Sequence, residues 1–206
     1  MSDNPDTYRS LKTPVEHVIL KERKSKFIGY AYPVNSEEEI KKHLLKLKSL
    51  FPDANHICYA WKIGVGDSVY RVQDDGEPRN SAGVPIYGQI NSLNLTNTVV
   101  FVVRYFGGVK LGVGGLISAY KSTARNTLDL GDIEERTISC RFHLAFDYTQ
   151  MNTVIRLISR LQLKIVQRIL EEEALLVVEV PLKMKSRFLD AMKTHYTIRV
   201  DEVAEK

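Results

Sequence analysis

Two cysteines, one tryptophan and no long apolar run are the first things to register in this 206-residue chain. A bilayer helix needs about 20 consecutive apolar residues. The longest run here, around Val99 to Val103, is far shorter, so no membrane association is expected. The opening stretch MSDNPDTYRSLK is polar and lacks the apolar core of a secretion signal, which makes the cytoplasm the expected compartment. Cys58 and Cys140 lie far apart, without metal-ligand spacing and within strand-like runs, as buried reduced thiols would. His17, His43, His143 and His195 are scattered, and none forms a metal pair one helical turn apart. No metal and no cofactor are expected. Charge of one sign is scarce too: the net charge is +4, milder than is usual for a protein that binds nucleic acid by bulk charge alone. Internal repeats and low-complexity segments are absent.

What is present is a regular succession of elements, in a length that suits one large or two small domains. VEHVILKER and KFIGYAYPV are rich in β-branched and aromatic residues and read as two strands around the basic turn KERKSK. Ser36 followed by Glu39 makes a capping box, Ile40, Leu44, Leu47 and Phe51 recur on one helical face, and Pro52 ends that helix. HICYAWKIG and SVYRVQ are strands, and Ser81 is placed to cap a helix over AGVPIYGQINSLN. TNTVVFVVRYF reads as a strand buried on both faces. Ile117, Tyr120, Ala124 and Leu128 then keep helical spacing up to Gly131. The rhythm changes at LGDIEE, which divides the chain into residues 1–132 and 133–206. In the second part a strand (RTISCRFHLAFD) is followed by a helix marked by Met151, Val154, Ile155, Ile158 and Leu161. Strands LKIVQRIL and LLVVEVPL come next, then a short helix with Phe188, Leu189 and Met192, then a strand with Tyr196, Ile198 and Val200. The order βαββαβ is that of a ferredoxin-like domain. The fold class is therefore α+β in two domains.

The segment VVFVVRYFGGVKLGVGGLISAY holds five of the twelve glycines. Gly107 and Gly112 have P-loop spacing, but Val113 follows where Lys is required. Gly112 and Gly114 begin a dinucleotide fingerprint whose third glycine is replaced by Ile117. GVGG fits the bare GxxG of a KH loop without basic residues between the glycines. Two readings stay open: a loop whose amides open a helix and cradle an anion beside Arg104 and Lys110, or glycines that only permit tight turns and close packing. DDGEP is likewise either turn chemistry at Asp75-Gly76-Glu77-Pro78 or, through Asp74, Asp75 and Glu77, a set of hard oxygen ligands for Mg²⁺. Lys21, Arg23, Lys24 and Lys26 form either a solvated turn or a basic contact patch. His56 and Cys58 alternate onto one face of their strand, but neither lies in a nucleophile turn.

DDGEPRNSAGVP together with VVFVVRYFGGVKLGVGGLISAY resembles the YigZ/IMPACT family over nearly the whole chain, with SKFIGYAYPV and HICYAW adding to the likeness. Asn80 and Ser81 stand where bacterial relatives often carry Gly-Thr, and Val113 where Thr is frequent; at Val113 this leaves only backbone groups to meet a phosphate. The resemblance implies an N-terminal α/β sandwich like the second domain of a small-subunit ribosomal protein, and a ferredoxin-like C-terminal domain of the bacterial type. Two consecutive domains of a translocating elongation factor share these folds, which makes the ribosome or structured RNA an implied ligand. Eukaryotic relatives regulate translation through a protein partner that bacteria lack. The leading expectation is a non-enzymatic module that binds RNA or the ribosome. Arg104, Tyr105, Phe106, Gly107, Gly108, Lys110, Gly112, Gly114 and Gly115 would form its contact surface, Asp75 to Pro78 the facing loop, and Lys21, Arg23, Lys24 and Lys26 a second contact. Two alternatives accompany it: a Mg²⁺-dependent enzyme acting on a phosphorylated small molecule or nucleotide, with Asp75 and Glu77 holding the ion, and a regulator that binds a protein partner on the ferredoxin-like sheet.

Overall fold

The structure is a computed structural model that describes residues 6–66 and 68–203. It divides into two compact units, one spanning Tyr8–Arg136 and one built from residues 137–203 together with Asp6 and Thr7. No helix among the described residues is long and apolar enough to cross a membrane.

β1 (Thr7–Leu11) pairs with a later strand in a two-stranded ribbon. Leu11 anchors the strand in the core with no exposed surface. β2 (Val15–Glu22) and β3 (Ser25–Pro33) form a hairpin, followed by α1 (Glu37–Leu50), β4 (His56–Ile63), β5 (Val69–Gln73), α2 (Gly83–Ser92), β6 (Thr98–Tyr105), α3 (Gly112–Asp129) and β7 (Ile133–Thr137), the partner of β1. The five-stranded sheet runs β2-β3-β6-β4-β5, antiparallel throughout. As its continuous apolar pattern predicts, β6 is buried on both faces. Val100 and Val102 meet the core formed by α2 and α3; Val99, Phe101 and Val103 meet the core under α1.

Local chemistry starts α1 as the capping box predicts, with one shift. Ser36 Oγ accepts from Glu39 N at 3.3 Å, while the Glu39 carboxylate reaches back to the amide of Asn35, one residue before the cap, at 2.8 Å. On α3 the spacing misassigns one residue. Tyr120, Ala124 and Leu128 are buried, but Ile117 is 39% exposed, and Leu116, Ala119, Thr123 and Thr127 complete the core face. Helical periodicity does not say which flank of an apolar stripe meets a sheet; here Gly29 of β3 decides it. A Cβ on Gly29 would lie 1.9 Å from Thr127 Oγ1, so its absence is what lets the threonine side of α3 come close. Thr123 and Thr127 donate to the carbonyls one turn back and leave no hydroxyl unpaired.

The second unit has β8 (Ser139–Phe146), α4 (Met151–Arg160), β9 (Lys164–Leu170), β10 (Ala174–Pro181), α5 (Lys185–Lys193) and β11 (Arg199–Val203). Its sheet order is β11-β8-β10-β9, all antiparallel, the ferredoxin-like arrangement that the βαββαβ order predicts. Phe142, Leu144 and Phe146 of β8, Val154, Leu157 and Ile158 of α4, and Phe188 and Met192 of α5 share one core. Tyr196 does not belong to the last strand. It is 93% exposed in a turn closed by the bonds His195 N to Met192 O and Ile198 N to His195 O, and the strand starts at Arg199. Three alternating residues are too few to tell a strand from a turn that carries one anchor, Ile198.

Gly29→Ala is expected to cost about 1–3 kcal/mol by overpacking. The double variant Gly29→Ala/Thr127→Ala should lose less than the sum of its parts. Urea unfolding of the two single variants and the double reads the coupling directly.

Candidate functional site

DDGEP forms a tight turn that is folded inward. Asp75 and Gly76 are both left-handed (φ 46 and 87), and Glu77 N donates to Asp74 O at 3.0 Å, the geometry favoured by Asp-Gly in a two-residue turn. Asp74 then caps α2 from a distance in sequence. Its Oδ1 accepts from Ala82 N and Gly83 N at 3.0 and 2.8 Å, and its Oδ2 from Asn80 N at 2.8 Å. The cap expected of Ser81 is therefore made by Asp74, while the Ser81 hydroxyl donates to Pro78 O at 2.6 Å. Spacing rules look for a cap next to its helix; a turn that returns eight residues later escapes them. Asn80 is left-handed (φ 63), which suits the Asn that stands where relatives often have glycine.

The turn is fastened to β4. Asp75 Oδ2 accepts from Ile57 N at 2.7 Å, His56 Nδ1 bonds Asp75 O at 2.7 Å, and Cys58 Sγ donates to Asp74 O at 2.9 Å. His56 and Cys58 do share one environment, and it is this turn. The Cys58 thiol is fully buried and burial pushes its pKa well up, so it is held as the neutral thiol. Cys140, partly buried on β8, directs its Sγ to Val180 O at 3.5 Å.

Glu77 joins the two signatures. Its side chain is 4% exposed, and Oε1 accepts from Arg104 Nη1 of β6 and, at 2.8 Å, from the Tyr120 hydroxyl of α3. His56 Nε2 lies 3.9 Å from the same oxygen. Cys58 Sγ, whose single proton goes to Asp74 O, lies 3.3 Å from the Tyr120 oxygen, and burial drives the Tyr120 pKa upward, so it remains a donor. Arg104 is 6% exposed, with its guanidinium carbon 5.4 Å from the Phe27 ring centroid and 5.6 Å from that of Phe106. Its Nε is buried with no partner among the described residues. Of the expected site, then, Arg104 and Glu77 face each other inside the unit. Tyr105 is half-buried against Phe51 on the α1 side, with ring centroids 6.5 Å apart, and Phe106 is 45% exposed. Tyr120 could not be read as a partner of Glu77, because nothing local links residues 43 apart. Asp74, Asp75 and Glu77 all accept bonds from the protein itself. Among the described residues no group of three His, Cys, Asp or Glu is placed to hold a metal ion.

The glycines divide by cause. A Cβ on Gly107 would lie 2.0 Å from the carbonyl carbon of Lys24, so this residue admits the basic hairpin turn, and its amide donates to Ser25 Oγ at 3.2 Å. Gly115 packs on Leu111, and Gly108 and Gly112 are left-handed (φ 83 and 74). Gly114 is required by neither packing nor backbone conformation, since its missing Cβ would meet nothing within 4 Å. No side chain caps α3, and Lys110 is exposed beside its first turn. The facing hairpin tip is Arg23-Lys24, both exposed and both left-handed (φ 42 and 66), between the paired residues Glu22 and Ser25. Lys21 is exposed as well, and Lys26 is partly buried.

The chain is thus a two-unit α+β protein whose first unit carries a buried Glu-Arg-Tyr cluster under a glycine loop. Residues 23–128 match the Impact N-terminal domain. The chain belongs to the IMPACT family. It is 37% identical over 148 residues to IMPACT family member YvyE of Bacillus subtilis (72% of this chain, 68% of that one) and 30% identical over 168 residues to YigZ of Escherichia coli (81% and 82%). Protein IMPACT of Homo sapiens is 33% identical over 105 residues, 48% of this chain and only 32% of that protein. A crystal structure of a hypothetical protein superposes over 98% of the chain and 99% of its own, with 25% identity and a TM-score of 0.71.

Glu77→Ala strands the Arg104 guanidinium in the core and is expected to destabilise the protein by about 3–5 kcal/mol. Tyr120→Phe removes one hydrogen bond and should cost about 1 kcal/mol. Denaturant unfolding followed by Trp61 fluorescence measures both, and equal costs would contradict the cluster's assigned geometry.

Proposed function

We propose that the protein is a non-enzymatic module that binds structured RNA, free or in the ribosome, through the surface on both sides of Gly107, and that it acts in translation by this route. The observation that carries the reading is the close approach of Lys24 to Gly107. It sets a basic hairpin tip beside a loop that leads into an uncapped helix. Lys24 and Arg23 engage phosphate on one side; Lys110 and the amides of Gly112 and Gly114 do so on the other. Phe106, exposed at the loop's start, offers a ring for a base to stack on. Arg104 serves from beneath by positioning this loop, with Glu77 holding its guanidinium.

Two departures from local preference support the reading. Arg-Lys occupies a turn in which Asn-Gly would be relaxed, at a strain of about 1–2 kcal/mol per residue. Glycine at 114 forgoes up to about 1 kcal/mol of helix propensity for no packing gain. Both are understandable if charge at the tip and bare backbone at the helix start are what these positions supply. Membership of the family and the implied translational role of its eukaryotic relatives point the same way.

The substitutions Arg23→Asn/Lys24→Gly and Gly114→Ala should therefore stabilise the fold, the first by about 1–2 kcal/mol for each residue relaxed and the second by up to about 1 kcal/mol. Both should weaken retention of ribosomal RNA or tRNA on filters. The hairpin variant should also lower the salt dependence, by about 0.7 in log–log slope for each single-strand phosphate that it no longer neutralises. If wild-type protein retains neither RNA at low salt, the reading falls.

A further inference from the structure

The second unit carries a separate feature that none of the readings above uses. Thr153, Arg156, Leu157 and Arg160 recur at the spacing of one α4 face, and with His195 they line a cleft of about 240 Å³. Buried Leu157 is its floor, and the two arginines and Thr153 are exposed at its wall. His195 joins the lining from the turn after α5, and its backbone is fixed there. Its amide donates to Met192 O at 2.8 Å, its carbonyl accepts from Ile198 N at 2.9 Å, and Gln150 at the start of α4 bonds Thr197 in the same turn.

Several charges of this unit are paired at its surface. Glu202 engages Lys185 at 2.6 Å, Asp190 engages Lys193 at 2.8 Å, and Glu173 lies 3.9 Å from Arg199. Arg156 and Arg160 have no hydrogen-bond or ion-pair partner among the described residues. Two like charges one turn apart, with no counter-charge, work against their own helix. An oxyanion between them reverses that sign.

We propose that this cleft binds a phosphate group. Each guanidinium presents a planar fork of N–H donors that matches phosphate oxygens, His195 adds an N–H in either protonation state, and Thr153 adds a hydroxyl. The volume lies below the roughly 300–1,000 Å³ of a pocket that encloses a drug-sized ligand. The cleft therefore grips the phosphate and leaves the group attached to it outside. A phosphomonoester free in solution and a phosphate of a nucleic-acid backbone present this same chemistry.

Amide chemical-shift titration of the full chain tests the proposal, with inorganic phosphate, AMP and a short single-stranded oligoribonucleotide as probes, against chloride at matched ionic strength. A saturable shift confined to residues 153–160 and 195 is expected. Response to phosphate and AMP identifies the free phosphomonoester as the source, whereas response to the oligonucleotide alone identifies the backbone. Arg156→Gln/Arg160→Gln removes exposed, unpaired side chains and should leave the melting temperature unchanged or slightly raised, while weakening the responding probe by about tenfold or more. Absence of a localised shift with all three probes overturns the proposal, as does unchanged affinity in the double variant. Because Arg23→Asn/Lys24→Gly alters no residue of the cleft, loss of RNA retention at the glycine loop and failure here are separate results.

Discussion

Glu77 is a carboxylate with almost no access to water, and the first unit is organised around keeping it satisfied. Desolvating such a group costs several kcal/mol unless donors converge on it. Arg104 comes from the end of β6, Tyr120 from the middle of α3, and His56 approaches from β4. The DDGEP turn, the central strand and the helix after the glycine loop are thereby locked to one oxygen. Asp74 and Asp75, on the same turn, stitch it to α2 and β4 through backbone amides. Both sequence signatures are consequently halves of one internal joint, and Glu77 and Arg104, one from each, face each other rather than solvent.

That joint determines what is left for the surface. With Arg104 occupied from below and shielded by Phe27 and Phe106, the outward face of the loop consists of bare backbone, Lys110 and apolar side chains. Gly107 lets the β2–β3 turn close against it. Positive charge near the loop therefore comes from a hairpin distant in sequence, and the stiffness of the loop from the buried cluster. The division of labour is physical: a guanidinium in a nearly dry pocket makes a strong fixed bond, and lysines in water make contacts that salt can tune.

The second unit follows a different logic. Its core is wholly apolar, and its ion pairs lie at the surface, where each contributes little to stability. What distinguishes it is a pair of arginines one turn apart on α4, unpartnered among the described residues, that share a cleft with His195.

Much of the architecture was legible without coordinates because it rests on short-range physics. The β-branched and aromatic runs of β2 and β3, the apolar stripe of α4, the cap at Ser36 and the doubly buried pattern of β6 are each set by residues within a few positions of one another. The order βαββαβ then leaves few topologies. Errors came where a distant residue decided: Ile117 lost its place in the core to the threonine flank that Gly29 admits, Tyr196 to a turn closed by backbone bonds, and Ser81 its cap to Asp74. The site divides the same way. From its residues alone the sequence determined that DDGEP is a turn, that the glycine segment joins a buried strand to a helix, and that the family is this one. Only the tertiary structure decided that Glu77 points inward to Arg104 and Tyr120, that Lys24 rests on Gly107, and that Arg156, Arg160 and His195 share a cleft. Direction and partnership are set by which surfaces the sheet and helices bring together, and sequence spacing carries no record of that.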